Sequence, residues 1–489
     1  MPIPSTDSEL IFHSPATTFE MHWTSLAAEL RGMILEALAH EGDVAHCASV
    51  CREWQAAIEQ LNFHSLKLTA RDIPIFKIMA TRNLGLIRYI WYSIELRNYD
   101  CTECDLDETE DVMDANRATV EDGMRTMFCA LSERLPDGNM TLDISIHSPS
   151  GSQHHFKYIR FEPANTLSSR DPLKPSSHHD SVHSSSAPLP SIAAIDRISR
   201  TSSFRRVPCV THLLLRRQTR RRWDPVALSR LTARLPNVQD ICFEPWREWG
   251  RLNQRRMDIR SERFLKSLIP NNMERMITFE DLNETYISAN STGLHESLDA
   301  EPIRTASTQV TKGLAEASLG LQHLSAAFII DASQFWEVRQ SNWVWEQLLT
   351  LSLTSRDLVP HTEPKDINGL IHSAARAIKK MPKLRIMELW NGGQGHAAVF
   401  RYKSVKAGGC ASIAWRGSWS LKFETGVVTA WENVAGASHA GYLHIQNELL
   451  RPLQIRSHGE AVLILELETE VACPVSIQQI HREHLQITT

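Results

Sequence analysis

The sequence predicts an α+β chain: a small helical unit near the N-terminus, then a repeated strand-and-helix domain, then a β-rich end. Three observations carry this expectation. In WTSLAAELRGMILEALAHEGDVAHCASVCREWQAAIEQLNF, residues Leu26, Leu30, Ile34 and Leu38 recur every four positions, the spacing of one helical face. Between residues 205 and 392 one short apolar phrase returns five times. Beyond it, apolar and polar residues come close to alternating, the period of a half-buried strand.

The helical unit reads as three short helices over residues 21–68. Thr24 or Ser25 can cap the first, Gly42 can end it, and Asp43 can cap the second. Val44, Ala48 and Cys51 share a side of the second, and Trp54, Ile58 and Leu61 a side of the third. So few helices bury little surface, so the unit is expected to lean on the adjoining domain or on a partner.

The recurring phrase is L-x-x-L-x-L. Its copies place Val210, Leu213 and Leu215; Val238, Ile241 and Phe243; Leu321, Leu324 and Ala326; Leu348, Leu351 and Leu353; and Leu384, Met387 and Leu389 at equivalent positions. This is the strand phrase of a leucine-rich repeat, in which each unit adds one strand in parallel and packs a helix behind it. The copies are spaced widely and unevenly, so a degenerate repeat-like α/β domain with insertions is expected over 69–162 and 204–395. Strand positions His212, Gln239, Asp240, Ser352 and Glu388 are candidates to line its concave face.

Residues 396–489 are expected to form a β-rich cap. AAVFRYKS, CASIAWRGSWSLKF and VVTAWENVA read as strands, GYLHIQNELL as a helix and AVLILELETE as a buried last strand. Residues 1–20 and 163–203 are polar, and the second stretch is crowded with Ser, Pro and His; both are expected to be disordered, because they bury too little to offset ordering entropy. Residues 287–311 read as a loop.

Composition narrows the function. A formal net charge of -5 over 489 residues argues against a dedicated nucleic-acid binder. No run of eighteen apolar residues and no apolar leader are present, so neither membrane nor secretion is expected. Nine dispersed cysteines fit reduced thiols in the cytoplasm or nucleus better than a disulfide framework.

Sites of chemistry are scarce. Cys101 and Cys104 form a lone C-x-x-C in acidic surroundings, short of the four ligands of a structural zinc and unsuited to a lowered thiol pKa. His154, His155, His178, His179 and His183 suggest a metal only by number. RRQTRRRW (216–223) reads as a solvated turn after a strand rather than a phosphate contact. NGGQG (391–395) lacks the lysine and helix start of a phosphate loop and reads as a connecting loop. Neither a serine-hydrolase elbow nor an H-E-x-x-H motif occurs. No catalytic residue, metal or cofactor is therefore expected.

The stretch SLAAELRGMILEALAHEGDVAHCASVCREWQAAI resembles the F-box. Leu26, Glu29 and Leu30 stand at its opening, Ile34, Leu35 and Leu38 in its helix, and Val50, Cys51 and Trp54 in the closing V-C-R-x-W phrase. With RYIWYSIELRNYDCTEC (88–104), the chain is similar to fungal F-box proteins with an uncharacterised C-terminal domain. The resemblance implies that those nine residues contact a Skp adaptor and, through it, a cullin. The rest of the chain would then hold an unknown protein target for ubiquitin transfer. Ala27 stands where the family has a proline; alanine preserves the helix but not that contact. Two other readings stay open: an F-box scaffold outside ubiquitination, and an enzyme hidden in the C-terminal region.

Overall fold

Leu30, Ile34 and Leu38 fall on one helix, α1 (Ala28–His40), with Leu26 just ahead of it. The structure is a computed structural model. It describes residues 23–40, 45–100, 102–103, 108–132, 139–153, 204–219, 221–248, 251–269, 272–282, 304, 307–404, 410–437, 442–450 and 455–487. The segments expected to be disordered, 1–20 and 163–203, lie outside them. Two compact units are present, Met1–His64 and Ser65–Thr489.

In the first unit, a 3-10 turn at Trp23–Ser25 precedes α1, another at Ala45–Ser49 stands where a second α-helix was expected, and α2 (Arg52–His64) comes after it. Ala48 lies in that 3-10 turn, whereas Cys51 lies outside it; Gly42, Asp43 and Val44 are not among the described residues. A polar clamp ties the ends together. Arg31 Nε donates to Glu53 Oε1 at 2.8 Å, and Trp23 Nε1 donates to Glu53 Oε2 at 3.2 Å. The Trp23 ring lies 5.0 Å from that of Trp54. These two donors hold the Glu53 carboxyl below its usual range.

Among the described residues, the second unit mixes helix and strand around one twelve-stranded sheet. Its first nine strands lie side by side in chain order, all parallel: β1 (Ser65–Thr69), β2 (Tyr89–Glu95), β3 (Met140–His147), β4 (Val210–Leu215), β5 (Asp240–Phe243), β6 (Arg275–Phe279), β7 (His323–Ala327), β8 (Thr350–Thr354) and β9 (Ile386–Gly393). The connections carry α3 (Ile73–Asn83), α4 (Glu110–Ser132), α5 (Pro225–Thr232), α6 (Arg251–Leu268), α7 (Thr308–Ala317), α8 (Ala332–Glu337) and α9 (Pro364–Ala377). Helix α7 begins inside the stretch read as a loop. Asp224 caps α5 by accepting Val226 N–H at 2.8 Å, with Pro225 at the first helical position, where its missing N–H costs nothing.

The apolar phrase is the reason the strands stack in register. Leu142, Leu213, Ile241, Met276, Leu324, Leu351 and Met387 are successive partners across seven strands, and all are buried. Successive side chains on a strand point to opposite faces, so Asp143, Leu214, Cys242, Ile277, Ser325, Ser352 and Glu388 form the parallel row on the other face.

After β9 the sheet turns antiparallel through β10 (His396–Lys403) and β11 (Ala411–Gly417), and then adds β12 (Leu443–Leu449) parallel to β11. Three expectations for this end are corrected. VVTAWENVA lies in a helix, α10 (Thr425–Ala437): Val427, Trp431, Val434 and Ala435 are buried at helical spacing. GYLHIQNELL supplies β12, whose Leu443, Ile445 and Leu449 recur with period two. AVLILELETE begins in a helix, α11 (His458–Leu465), with α12 (Pro474–Ile487) after it. A short all-apolar run cannot tell helix from buried strand; the signal was Ser457-x-x-Glu460, where Ser457 Oγ accepts Glu460 N–H at 3.1 Å. Among the described residues, 396–489 therefore contribute β10, β11 and β12 to the same sheet, together with α10, α11 and α12.

Candidate functional site

Among the residues that the F-box resemblance assigns to the adaptor, the structure separates surface from core. On α1, Glu29, Leu30 and Ile34 are exposed, at 49% for Leu30 and 39% for Ile34, and Met33 beside them at 64%. Val50, at 62%, and Cys51 are also exposed. Leu26, Leu38 and Trp54 are half-buried, while Leu35 is buried. Exposed leucine, isoleucine and valine side chains of this kind are apolar surface that a partner can cover.

The polar face of the sheet, expected to lie open, is covered near its centre by the chain's own end. Ser352 and Glu388 are both 0% exposed. Glu388 Oε1 accepts Arg401 Nε at 2.6 Å and Glu468 N–H at 3.0 Å, and Oε2 accepts Thr469 N–H at 3.0 Å and the Thr469 hydroxyl. A second anchor is Glu244, just after β5. Its carboxylate accepts Cys473 N–H at 2.7 Å, Ser476 Oγ–H at 2.5 Å and Arg217 N–H at 2.9 Å. Burial raises the Glu244 carboxyl, against the pull of those donors. Between the anchors, Phe279, Ala327, Trp390 and Val399 on the sheet pack with Ala461, Val462, Leu465 and Ile477. Glycine makes the close approach possible: a Cβ on Gly392 would stand 2.4 Å from the Cβ of Ala461. Gln239 is exposed and His212 and Asp240 are half-buried, with His212 Nε2 3.2 Å from Asp240 Oδ2.

The basic run is also not the solvated turn its sequence implies. Arg216 and Arg217 are 0% and 1% exposed, and Arg222 is buried too. Arg216 Nη2 lies 2.7 Å from Asp143 Oδ2, which also accepts Tyr89 O–H at 2.5 Å. Arg217 pairs with Asp281, and its guanidinium stands 4.8 Å over the Trp246 ring. His458 Nε2 lies 3.1 Å from Asp281 Oδ1. Burial pushes the Asp281 carboxyl up, but Arg217 and His458 outweigh it and hold it below its usual range. Arg221 pairs with Glu108 and Arg222 with Glu248. Buried charges persist only when paired and hydrogen-bonded. Sequence reasoning missed this network, although its acids were legible: Asp143, Glu244, Asp281 and Glu388 interrupt or end apolar strand phrases (LDISI, ICFEP, ITFED, IMELW).

Other sequence candidates resolve simply. Cys101, Cys104 and the five histidines between 154 and 183 lie outside the described residues. Among the described residues no group of three or more His, Cys, Asp and Glu side chains could hold a metal ion, and no helix is long and apolar enough to cross a membrane. NGGQG forms the β9–β10 hairpin, in which Gly393 pairs with His396 and Gly395 adopts φ 82°, a conformation only glycine takes without strain.

Comparison with known proteins adds one likeness. Residues 268–473, from the end of α6 to the segment between α11 and α12, match the model of a family of unknown function, DUF6546. No curated protein matches the chain.

Proposed function

We propose that this chain is a substrate-receptor subunit of a Skp–cullin–F-box ubiquitin ligase, with residues 21–68 as its F-box and the leucine-rich-repeat-like unit behind it as the holder of a protein target. The observation that carries the reading is the exposed apolar surface of Leu30, Met33, Ile34 and Val50. It stands at motif positions whose order along the chain resembles the F-box, on helices clamped by Arg31, Glu53, Trp23 and Trp54. Burying such side chains in an adaptor groove is favourable, and a few central anchors supply most of the energy of an interface. No chemistry is asked of the chain. A receptor acts by holding a target's lysines near a ubiquitin-loaded enzyme, so its gain is effective concentration. The parallel sheet supplies a rigid support for that task, and the half-exposed row His212, Asp240, Arg275 and His323 near the strand starts offers a target polar side chains on that face.

The test is co-purification of the full chain with a fungal Skp adaptor, beside a Leu30→Asp, Ile34→Asp variant. Both positions are exposed, so the variant keeps its fold while placing two charges in the interface. Binding by the natural chain and loss in the variant support the reading. Equal recovery of the adaptor by both refutes it.

A further inference from the structure

We propose that a pocket at the C-terminal ends of β6 to β9 binds a small organic anion, with its apolar body inside and its acidic head at the rim. The pocket encloses about 430 Å³, within the size range of small-ligand sites. It opens where parallel strands end, the place where sheets of this kind leave a crevice. The inner wall is largely apolar: Leu282, Phe328, Ile330 and Val359 line it, with the backbone of Gly392 and Gly393.

The wall is built at a conformational cost. Phe328 adopts φ 62°, a left-handed conformation that a bulky side chain rarely takes. Thr354 Oγ1 holds it there by accepting Phe328 N–H at 2.7 Å. Its ring is fixed edge-on against Phe279, Trp390 and His458, with centroids 5.5, 5.3 and 6.1 Å away. Strain of this kind persists where the surroundings enforce it, and it gathers at ligand sites.

The charges select the head group. Among the described residues two acids, Glu280 and Asp331, line the pocket beside Arg247, Arg304, His396 and His458, and both acids are already hydrogen-bonded. Glu280 accepts Arg304 Nε at 2.8 Å. Asp331 accepts Ser333 N–H at 2.8 Å and Arg356 N–H at 2.9 Å as the cap of α8. At the rim stand Arg356 and His361, on the loop from β8 to α9, both exposed. The Arg356 guanidinium forms no ion pair with a described residue; its charge reaches the neighbouring Asp357, whose carboxyl is pushed up by burial and by Asp331 against the pull of Arg356. A guanidinium and an imidazole lining the same pocket, with Glu280 and Asp331 already hydrogen-bonded, fit a carboxylate better than a cation. All lining residues except Arg247 fall within the segment that matches the family of unknown function, so the pocket belongs to that segment rather than to the N-terminal helices.

The experiment titrates the full chain, with no adaptor present, and monitors tryptophan fluorescence, since Trp390 packs against Phe328. The probes are octanoate, octanol and inorganic phosphate. Octanoate is expected to bind about tenfold or more tightly than octanol, and phosphate not measurably. Arg356→Gln with His361→Gln is expected to lower octanoate affinity about tenfold and to leave octanol unchanged. Phe328→Ala is expected to weaken both. A Lys383→Gln variant, altering an exposed cation away from the pocket, is expected to bind as the natural chain does. Equal affinity for octanoate and octanol, no effect of the rim substitutions, an equal effect of Lys383→Gln, or no binding of octanoate by the folded chain overturns the proposal. Since no adaptor enters the assay, its outcome is independent of the receptor reading.

Discussion

The carboxylate of Glu244, just after β5, accepts the backbone N–H of Cys473 at 2.7 Å across 229 residues of chain. This bond and those of Glu388 to Glu468 and Thr469 hold the segment around α11 and α12 on the polar face of the sheet. Replacing Glu388 with alanine leaves Arg401 only its longer contact to Glu468, at 3.5 Å, and leaves two N–H groups without acceptors. The expected cost is about 3–5 kcal/mol. Hydrogen exchange should speed up across residues 457–480 ahead of the strands β4 to β8.

Glu244 makes the same attachment sensitive to pH. Its carboxyl is raised in the folded chain, so the fold favours the protonated form. That contribution is complete below the ordinary carboxylate range and fades as pH rises through the raised value. A Glu244→Gln variant, neutral at every pH, should therefore lose more stability relative to the natural chain at pH 4.5 than at pH 7.5. Chemical denaturation at the two values gives the comparison, and Asp281, present in both proteins, cancels.

Glu53 works in the opposite direction. Hydrogen bonds from Arg31 and Trp23 hold its carboxyl low, so its contribution is present above the ordinary carboxylate range and is lost as pH falls through the lowered value. Acidification should separate Trp23 from Trp54, and Glu53→Gln should show the same loosening at pH 7. Near-ultraviolet circular dichroism reads the tryptophan coupling.

Gly392 and Ala461 form a steric pair. A methyl group on Gly392 meets the Ala461 Cβ at 2.4 Å, so Gly392→Ala should displace α11 at a cost of about 1–3 kcal/mol. Ala461→Gly in the same chain should restore most of that loss, which a double-mutant cycle on denaturation midpoints measures.

How much of this is legible in the sequence varies with the physics of each element. The phrase around Leu213, Ile241, Leu324, Leu351 and Met387 places five strands, because burial on the helix side demands apolar residues at fixed spacing. Strand β6 escapes the pattern because Met273, Met276 and Thr278 occupy the same three positions without a leucine among them. In the C-terminal hundred residues, the alternation of Ala411, Ile413 and Trp415 marks β11 correctly. Valine-rich VVTAWENVA reads as a strand by propensity, although Val427, Trp431 and Val434 already keep helical spacing. The largest departure is at Arg216 and Arg217. A run of arginines resembles a solvated turn until the acids that pair with Arg216 and Arg217 are known, and those lie 73 and 64 residues away. Asp281 and Glu388 give a usable hint, since a carboxylate within or just beyond an apolar strand needs a partner.

The buried pair of Arg216 and Asp143 gives a further check. Asp143→Asn removes the counter-charge of a guanidinium that is 0% exposed, with an expected cost of about 3–5 kcal/mol. Arg216→Met with Asp143→Leu removes both charges at once and should recover a substantial part of that loss. Urea unfolding of the three proteins settles the order.

The proposed receptor role requires that the N-terminal helices dock an adaptor through Leu30 and its neighbours. Calorimetric titration of the full chain with a purified fungal Skp adaptor tests it most directly. Saturable binding is expected, weakening about tenfold or more on Leu30→Ala. Leu252→Ala, an equally conservative change at an exposed leucine of α6, should leave the affinity unchanged. Unchanged affinity in Leu30→Ala, or no binding by the natural chain, would contradict it.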